Sequence, residues 1–266
     1  MKNINSSEIN DRVDNIPSDR LLTVDTTLEH FSIITYTVDL EKLRQIIPNQ
    51  FNIYTINLEG VQYGLVSAVT FIDKDFRFKK LLPFLKLSFP QTNYRAYIID
   101  KKSGEKCAWF FGTALGSKLV FIPKLLWKMP WFLARYNSRF ELKNNSYTKY
   151  EIEITAKNAN ATIAISNENL SEFNSKGFDS IEEAALILTH PVSGYFLRSD
   201  NKLGKYKIWH PKMKSSNGES ISTYFQKFES LGLLNAAQMS QPYSILLTDQ
   251  IEFIIDLPPK KITTRN

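Results

Sequence analysis

Arg95 is the residue whose type and position most clearly suggest a binding function. It lies in the segment QTNYRAYIID, residues 91–100, where strand alternation places Asn93, Arg95 and Tyr97 on one face. A guanidinium in an aromatic strand has two interpretations. Either it reaches water or pairs with a carboxylate, or it lines a cavity and holds an anionic ligand. The sequence leaves both open.

The single cysteine offers less chemistry. With Cys107 alone, an internal disulfide is excluded, and a reducing cytoplasm is the expected location. Cys107 stands beside Trp109 in an apolar run. We therefore interpret it as a small buried hydrophobic residue rather than a nucleophile.

The histidines are His30, His190 and His210. None is at metal-ligand spacing with another histidine or with the cysteine, so neither a metal site nor a cofactor is predicted. His210, in KIWHPKMK, has no visible partner for a general base. We interpret it as a residue at the end of a hairpin.

The elements that would position these residues are mostly strands. Alternating or apolar segments bounded by turn residues predict strands at 29–37, 51–56, 62–71, 91–100, 106–113, 140–165 (a long hairpin), 195–198, 205–210, 243–248 and 251–257. Short helices are predicted after the caps Asp39 and Ser180, and from Ser220 to a C-terminal cap at Gly232. This pattern predicts a mainly β fold, an antiparallel barrel or cone with a few short flanking helices.

Length and composition agree with one domain. The 266 residues suit a flexible N-terminal arm over 1–22, a single β-cone domain over 23–260 and a tail over 261–266. The arm is polar and lacks the apolar core of a signal peptide; it is compatible with disorder or with packing on a neighbouring chain of a homo-oligomer. The net charge of +6 is a mild excess, spread along the chain, so no nucleic acid partner is expected.

Three segments, in order, carry a family resemblance: LEKLRQIIPNQF (40–51), FFGTALGSKLVFIPKLLWKMPW (110–131) and YFQKFESLGLLNAAQMSQPYSILLTDQIEFIIDLPP (224–259). They resemble the acetoacetate decarboxylase-like superfamily, and the phrasing NYRAY…WFFGT…LPP is most similar to its uncharacterised bacterial branch, the YqjF-like proteins. The resemblance covers the chain from about residue 29 to residue 259. It implies a β-cone with a central pocket.

The resemblance also implies where a catalytic lysine would be. In acetoacetate decarboxylase a lysine forms a Schiff base with a ketone, and a neighbouring cation lowers its pKa. The family signature is Pro-Lys-Lys after an Arg-Glu pair. Matched without gaps, the proline falls on Pro130, the lysines on Trp131 and Phe132, and the Arg-Glu pair on Lys124 and Leu125. An indole forms no Schiff base, so decarboxylation by that route is not expected.

Two other lysine positions keep a Schiff-base alternative open. Lys124 and Lys128 are close enough to Pro130 to reach a pocket after a shift in register. They would then support a lyase, an aldolase or a dehydratase. We favour surface lysines on a helix whose apolar side faces inward.

The leading hypothesis is a protein that binds a small apolar ligand bearing a carboxylate or a carbonyl. Arg95 would be its polar anchor, and the pocket wall would consist of Tyr97, Trp109, Phe110 and Trp131. The alternative is that these rings simply fill the core.

A third hypothesis is a peripheral protein at an anionic membrane surface. Segments 76–87 and 119–135 mix lysines with large apolar residues, as interfacial anchors do. Packing of a helix on a sheet gives the same pattern, and we favour that interpretation over membrane binding.

Overall fold

Strands dominate the structure. The computed structural model describes residues 12–144, 146–167 and 173–262. The strands are β1 (Val24–Asp39), β2 (Phe51–Ile53), β3 (Thr55–Leu58), β4 (Val61–Phe78), β5 (Leu87–Asp100), β6 (Lys106–Leu115), β7 (Trp131–Leu133), β8 (Arg135–Lys143), β9 (Ser146–Thr155), β10 (Ala161–Ser166), β11 (Ser193–Leu197), β12 (Leu203–Trp209), β13 (Ser216–Asn217), β14 (Glu219–Phe225) and β15 (Ser244–Ile262). The helices include α1 (Leu40–Arg44), α2 (Phe121–Leu126), α3 (Ile181–Thr189), α4 (Gln226–Ser230) and α5 (Ala236–Met239). A 3-10 turn over Lys118–Val120 leads into α2.

Within the described part of the chain, seven strands close into a barrel. Their order is β5-β4-β1-β15-β12-β11-β6, and β6 pairs back with β5. Neighbours are antiparallel except β6 and β11, which run parallel. The register of β1 with β15 joins segments near opposite ends of the sequence, as in the pair Val24 and Ile255. The predicted mainly β barrel or cone is therefore confirmed.

A smaller sheet, β14-β10-β9-β8, packs against the outside of the barrel. Tyr36 and Tyr94 from the barrel meet Phe225 and Phe228, with the Tyr94 and Phe228 ring centroids 5.6 Å apart. Rings in such edge-to-face contact add to the stabilisation from burial of their apolar surface. Tyr36 and Tyr94 face outward from β1 and β5. Because side chains alternate along each strand, their neighbours on these strands face the barrel interior.

The interior therefore receives Ser67 from β4, Arg95 and Tyr97 from β5, and Phe110 from β6. Arg95 is opposite Ser67 on one side and Phe110 on the other. From β12, the ring of Tyr206 contacts the ring of Phe110 in a tilted arrangement, with 5.4 Å between the ring centroids. Burial raises the pKa of Tyr206, and the charge of Arg95 opposes that rise.

Different segments cover the two ends of the barrel. At one end lies α3, whose Leu186 and Ile187 pack near Tyr97. At the other end, the connections β4–β5 and β6–β7 pack together through Phe89, Leu115 and Val120. The α3 helix begins as the sequence predicts, with the Ser180 hydroxyl accepting a hydrogen bond from the Glu183 amide.

Two predicted elements differ from the structure. The helix predicted from Ser220 begins only at Gln226, because residues 219–225 pair with β10 as strand β14. Gly232 does follow this helix with a φ of +69°, as expected of a C-terminal cap. The last two predicted strands form one long strand, β15. Its Pro258 and Pro259 lie where a register shift leaves residues 257–259 unpaired with β12, so their missing N–H groups break no ladder.

The described part of the N-terminal arm contacts the barrel. Residues 1–11 of the predicted arm, and residues 263–266 of the predicted tail, lie outside the described residues. The Val13 carbonyl accepts a hydrogen bond from the Trp209 indole at 2.9 Å, and Arg12 donates to the His190 carbonyl. Further along, Arg20 pairs with Asp256 at 3.1 Å. In the described part of the chain, no helix has the length and apolar character needed to cross a bilayer.

Candidate functional site

Arg95 is a buried cation without an acidic partner. Its side chain lies on β5 inside the barrel and is 6% exposed. One terminal nitrogen, Nη2, donates to the Leu188 carbonyl at 2.7 Å and to the Tyr97 hydroxyl at 3.2 Å, while Nε has no partner. No carboxylate among the described residues forms an ion pair with it. Since arginine stays protonated in proteins, this positive charge is only partly compensated.

A chain of hydroxyl groups holds the wall beside Arg95. The hydroxyls of Tyr97 and Ser67 are 2.7 Å apart, and those of Ser67 and Thr35 are 2.8 Å apart. The ring of Tyr97 also lies under the guanidinium, at 5.2 Å from its carbon to the ring centroid. These contacts cross β5, β4 and β1, so they fix the guanidinium relative to the barrel wall.

His190 and His210 form a second buried polar group close to Arg95. Their ring centroids are 4.3 Å apart, and each residue is 2% exposed. Both follow the end of an element, α3 and β12 respectively. His210 also stacks on Phe253 at 4.6 Å. The Leu188 carbonyl that accepts from Arg95 is two residues before His190, which brings the three side chains to the same end of the interior.

The hydrogen bonds define the tautomer of each ring. His210 Nδ1 lies 2.8 Å from the Pro211 carbonyl, which only accepts, so Nδ1 carries the proton. His190 Nδ1 lies 2.6 Å from the Thr189 hydroxyl, which itself donates to the Ala185 carbonyl. This Nδ1 must also donate. Each Nε2 therefore has a free lone pair, and neither has a partner.

Both imidazoles are held neutral. Burial lowers the pKa of His190 to about 3, helped by His210 and by the Arg12 and Lys212 charges. Burial likewise lowers the pKa of His210 to about 4, and the Arg95 charge acts in the same direction. The cluster thus presents one fixed cation and two neutral nitrogen acceptors. A ligand that brings a negative charge and a hydroxyl proton would satisfy both kinds of group.

Three residues on or next to strands β5, β6 and β12 keep part of their surface exposed. Tyr206, Asn93 and Trp131 are half-buried although they lie on strands that line the barrel. Asn93 accepts from Thr113 at 2.8 Å, and Thr113 pairs with Trp131 across β6 and β7.

The larger surface grooves lie elsewhere. One of about 300 Å³ runs between Lys212, Thr248 and Glu252, and one of about 270 Å³ between Asn174 and Tyr243. A crevice beside Tyr97 and α3 is too narrow for a water molecule. None of these clefts is lined by Arg95.

The predicted ligand-binding residues separate into two groups. Tyr97 and Phe110 lie inside the barrel with Arg95, and Trp131 packs in the aromatic cluster of Phe110. Trp109 lies on the opposite face of β6, where it packs near Phe51 at 5.8 Å between ring centroids. It cannot share a pocket wall with Arg95, because consecutive strand residues point to opposite faces.

The lysines considered from the sequence point to solvent. Lys124 is exposed on α2, and Lys128 is exposed and 3.8 Å from Asp200. Neither lies in an apolar cavity. A different lysine, Lys227 on α4, has a pKa lowered by burial. Its side chain lies near Gly112, on the side of the barrel that faces the smaller sheet. Sequence reasoning gave no reason to select it.

Asp73 is a further titratable group inside the barrel. It is 2% exposed on β4, and burial raises the pKa of its carboxyl to about 7. The Thr26 hydroxyl lies 3.1 Å from the carboxyl and 3.2 Å from the Lys74 carbonyl. The Thr26 hydroxyl donates to the carboxyl when Asp73 is ionised, and this contact opposes the rise of the pKa. When Asp73 is protonated, its carboxyl can instead donate to the Thr26 hydroxyl, which then donates to the Lys74 carbonyl.

Sequence reasoning missed the pairing of His190 with His210. The two residues are on different elements and twenty positions apart in the chain, so spacing alone gives no sign of contact. One signal was present: each histidine is followed by proline, as His190-Pro191 and His210-Pro211. Among the described residues, no group of three or more His, Cys, Asp or Glu side chains could hold a metal ion.

Comparison with known proteins agrees with this architecture. The model of the DUF2071 family, described as an uncharacterized conserved protein, matches residues 25–251. No curated protein matches the chain. The structure is similar to acetoacetate decarboxylase from Legionella pneumophila, with a TM-score of 0.56 at 14% identity over 99% of this chain and 98% of that one.

Two other solved structures are similar at comparable levels. The enduracididine biosynthesis enzyme MppR, complexed with pyruvate, has a TM-score of 0.53 at 10% identity, over 92% of this chain and 91% of that one. An acetoacetate decarboxylase-like enzyme from Sphingomonas wittichii RW1 has a TM-score of 0.54 at 7% identity, over 91% and 94%. At these identities the likeness shows the fold alone. The resemblance to an uncharacterised family, and the fold that it implied, are confirmed.

Proposed function

The chain belongs to the DUF2071 family, and we propose that it binds a small carboxylic acid, bearing a carbonyl or hydroxyl group, inside the barrel with Arg95 as the anchor. The observation that carries the proposal is the burial of Arg95 without a carboxylate partner. A buried charge costs several kcal/mol unless it is paired and hydrogen-bonded. A ligand carboxylate would supply the missing charge and accept from the unpaired Nε.

The histidine pair supports a ligand with a second polar group. Each Nε2 lone pair accepts a hydrogen bond from a hydroxyl or takes up a proton that arrives with the acid. Binding of an anion next to His210 would also offset the Arg95 charge that lowers the pKa of this residue. We therefore expect proton uptake to accompany binding.

Aromatic residues would supply the apolar part of the site. Phe110, Trp131 and Tyr206 belong to one aromatic cluster. Such walls with a few polar groups are typical of small-molecule sites. Pyruvate in the MppR structure, on the same fold, is consistent with a ligand of this size and class.

The proposal does not include lysine-based decarboxylation. When the acetoacetate decarboxylase signature is matched without gaps, its two lysines fall on Trp131 and Phe132 of this sequence, and an aromatic side chain cannot attack a ketone. Lys124 and Lys128 are both exposed to solvent. A Schiff base needs a neutral lysine in the pocket, which is usually achieved by burial or by a neighbouring cation.

The test is ligand binding by the wild-type chain and by Arg95→Met. A panel of keto acids and hydroxy acids, pyruvate among them, would be screened by thermal shift and measured by calorimetry in two buffers of different ionisation enthalpy. We expect at least one acid to raise the Tm of the wild type, with proton uptake. Arg95→Met should weaken binding by about tenfold or more, since a charge-assisted hydrogen bond contributes roughly 1.5–3 kcal/mol.

Arg139→Met is the matched control, because Arg139 is exposed on β8, in the outer sheet. Without ligand, Arg95→Met should be as stable as the wild type or more so, since it removes an uncompensated buried charge. Binding that survives Arg95→Met, or no binding of any acid by the wild type, would contradict the proposal. A covalent adduct after borohydride reduction with a keto acid would instead support Schiff-base chemistry.

A further inference from the structure

One end of the barrel exposes an unusual amount of apolar surface. We call it the apolar end surface and define it as the exposed side chains of residues 79–86 and 118–126. Its large hydrophobic members are Leu81, Leu82, Phe84, Leu85, Phe121, Ile122, Leu125 and Leu126. Phe84 is 81% exposed and Leu125 is 70% exposed. Exposed apolar residues grouped in this way mark interaction sites, whereas single ones are ordinary.

The two segments form one surface because they share a base. Leu87 and Phe89, which follow the first segment, pack against Leu119 and Val120 at the start of the second. The Gly116 amide also donates to the Pro90 carbonyl at 2.8 Å. The tips of both segments therefore extend from the same end of the barrel.

The charge of this surface has one sign. Residues 79–86 contain three lysines and no acidic residue, and residues 106–140 contain no acidic residue at all. Lys118 and Lys124 are exposed and form no ion pair with any described residue. Lys79 pairs with Asp19 and Lys86 pairs with Asp75. The Lys86–Asp75 pair is about half exposed, and exposed pairs of this kind are weak.

The apolar and cationic side chains of this surface together indicate which kind of partner it binds. A second copy of the chain would bring the same lysines face to face, and like charges oppose that contact. An anionic lipid surface offers the complement, because leucine and phenylalanine enter the acyl boundary while lysines contact phosphate groups. Trp127 and Trp131, half-buried behind α2, have the amphipathic rings typical of the membrane interface.

We propose that the apolar end surface docks the protein on anionic phospholipid membranes. Phe84, Leu125 and their neighbours insert into the interface, and the lysines of both segments contact the headgroups. The attraction between lysines and anionic headgroups is electrostatic and screened by ions, so docking is reversible and sensitive to salt. This proposal is independent of ligand binding at Arg95.

The test is flotation of the full chain with vesicles. One set contains equal parts of phosphatidylcholine and phosphatidylglycerol, and the other contains phosphatidylcholine alone. We expect flotation with the anionic vesicles at low salt, a loss at high salt, and none with the neutral vesicles. Phe84→Glu and Leu125→Glu should each lower the partition coefficient by about tenfold.

Matched variants control for charge and exposure. Ile221→Glu changes a residue that is also 70% exposed but lies on β14, in the outer sheet, and Lys157→Glu changes a lysine in the β9–β10 turn. Both should float like the wild type. No flotation with anionic vesicles, or an equal loss in Ile221→Glu, would overturn the proposal. A dimer in light scattering that Leu125→Glu abolishes, without flotation, would overturn it in favour of self-association.

Discussion

Asp73→Asn should make the protein more stable at neutral and alkaline pH. The Asp73 carboxyl has a pKa of about 7 in the folded chain and an ordinary value of 3.8 when unfolded. Between these values the folded state binds a proton that the unfolded state has lost, so stability falls as the pH rises toward 7. Asparagine is neutral at every pH, and its amide can donate to Thr26 in place of the protonated carboxyl.

The size of the effect follows from the same two values. Between about pH 5 and pH 8 the wild type should lose about 3 kcal/mol relative to the variant, because each pKa unit corresponds to about 1.4 kcal/mol and titration stops near 7. For a chain of this size, that corresponds to roughly 6–12 °C in Tm. The assay is the Tm difference between variant and wild type at several pH values.

The comparison needs a control for charge removal on the same strand. Asp75→Asn serves, because Asp75 is 51% exposed at its side chain and pairs with Lys86. Its pKa is lowered, chiefly by the hydrogen bond from Lys86, so it should contribute no pH dependence between about pH 5 and pH 8. If the Tm of Asp73→Asn and the Tm of the wild type change with pH in the same way over this range, Asp73 is not held protonated and the reasoning fails.

Two further predictions concern other buried groups. Because burial lowers the pKa values of His190 and His210 below 6.5, their contribution to stability is fully present above that pH and is lost as the pH falls toward 4. The double variant His190→Gln/His210→Gln should show a smaller drop in Tm between about pH 7 and pH 5 than the wild type, and an equal drop would contradict the assignment. Cys107 is 2% exposed, and burial raises the pKa of its thiol to about 12. It should not react with a disulfide reagent until the chain is unfolded in urea; rapid reaction of the native protein would show that it is accessible.

Local sequence patterns predicted the strands well. The hairpin of residues 91–100 and 106–113 corresponds to β5 and β6, and alternation placed Arg95 and Tyr97 together on one face. The Asp39 and Ser180 caps also occur as expected. These features depend on neighbours in the chain, which is why the sequence reveals them.

Features that depend on distant pairing were harder to predict. Residues 219–225 look helical in isolation, because Tyr224, Phe225 and Phe228 follow helical spacing. Pairing with β10 outweighs that local preference. The same limit applies to Trp109, which was grouped with Arg95 as a wall residue although strand alternation separates it from the barrel interior.

Sequence analysis selected Arg95 as the candidate anchor, which stays a prediction, and it did not select His190 or His210. Arg95 was visible because a charge in an aromatic strand is unusual. His190 and His210 were not, because only closure of the barrel brings the end of α3 to the end of β12. Their neutral state depends on that burial and has no signature in the sequence.

The pairing of β1 with β15 has a consequence for how the protein is made. Strand β1 can pair with β4 soon after both leave the ribosome, but its other edge has no partner until β15 emerges. Until then, the nascent chain carries an open sheet with an unpaired edge. Such edges recruit other strands and aggregate. We therefore expect the yield of folded protein in cells to depend strongly on translation rate and on chaperones, and not only on the stability of the finished barrel.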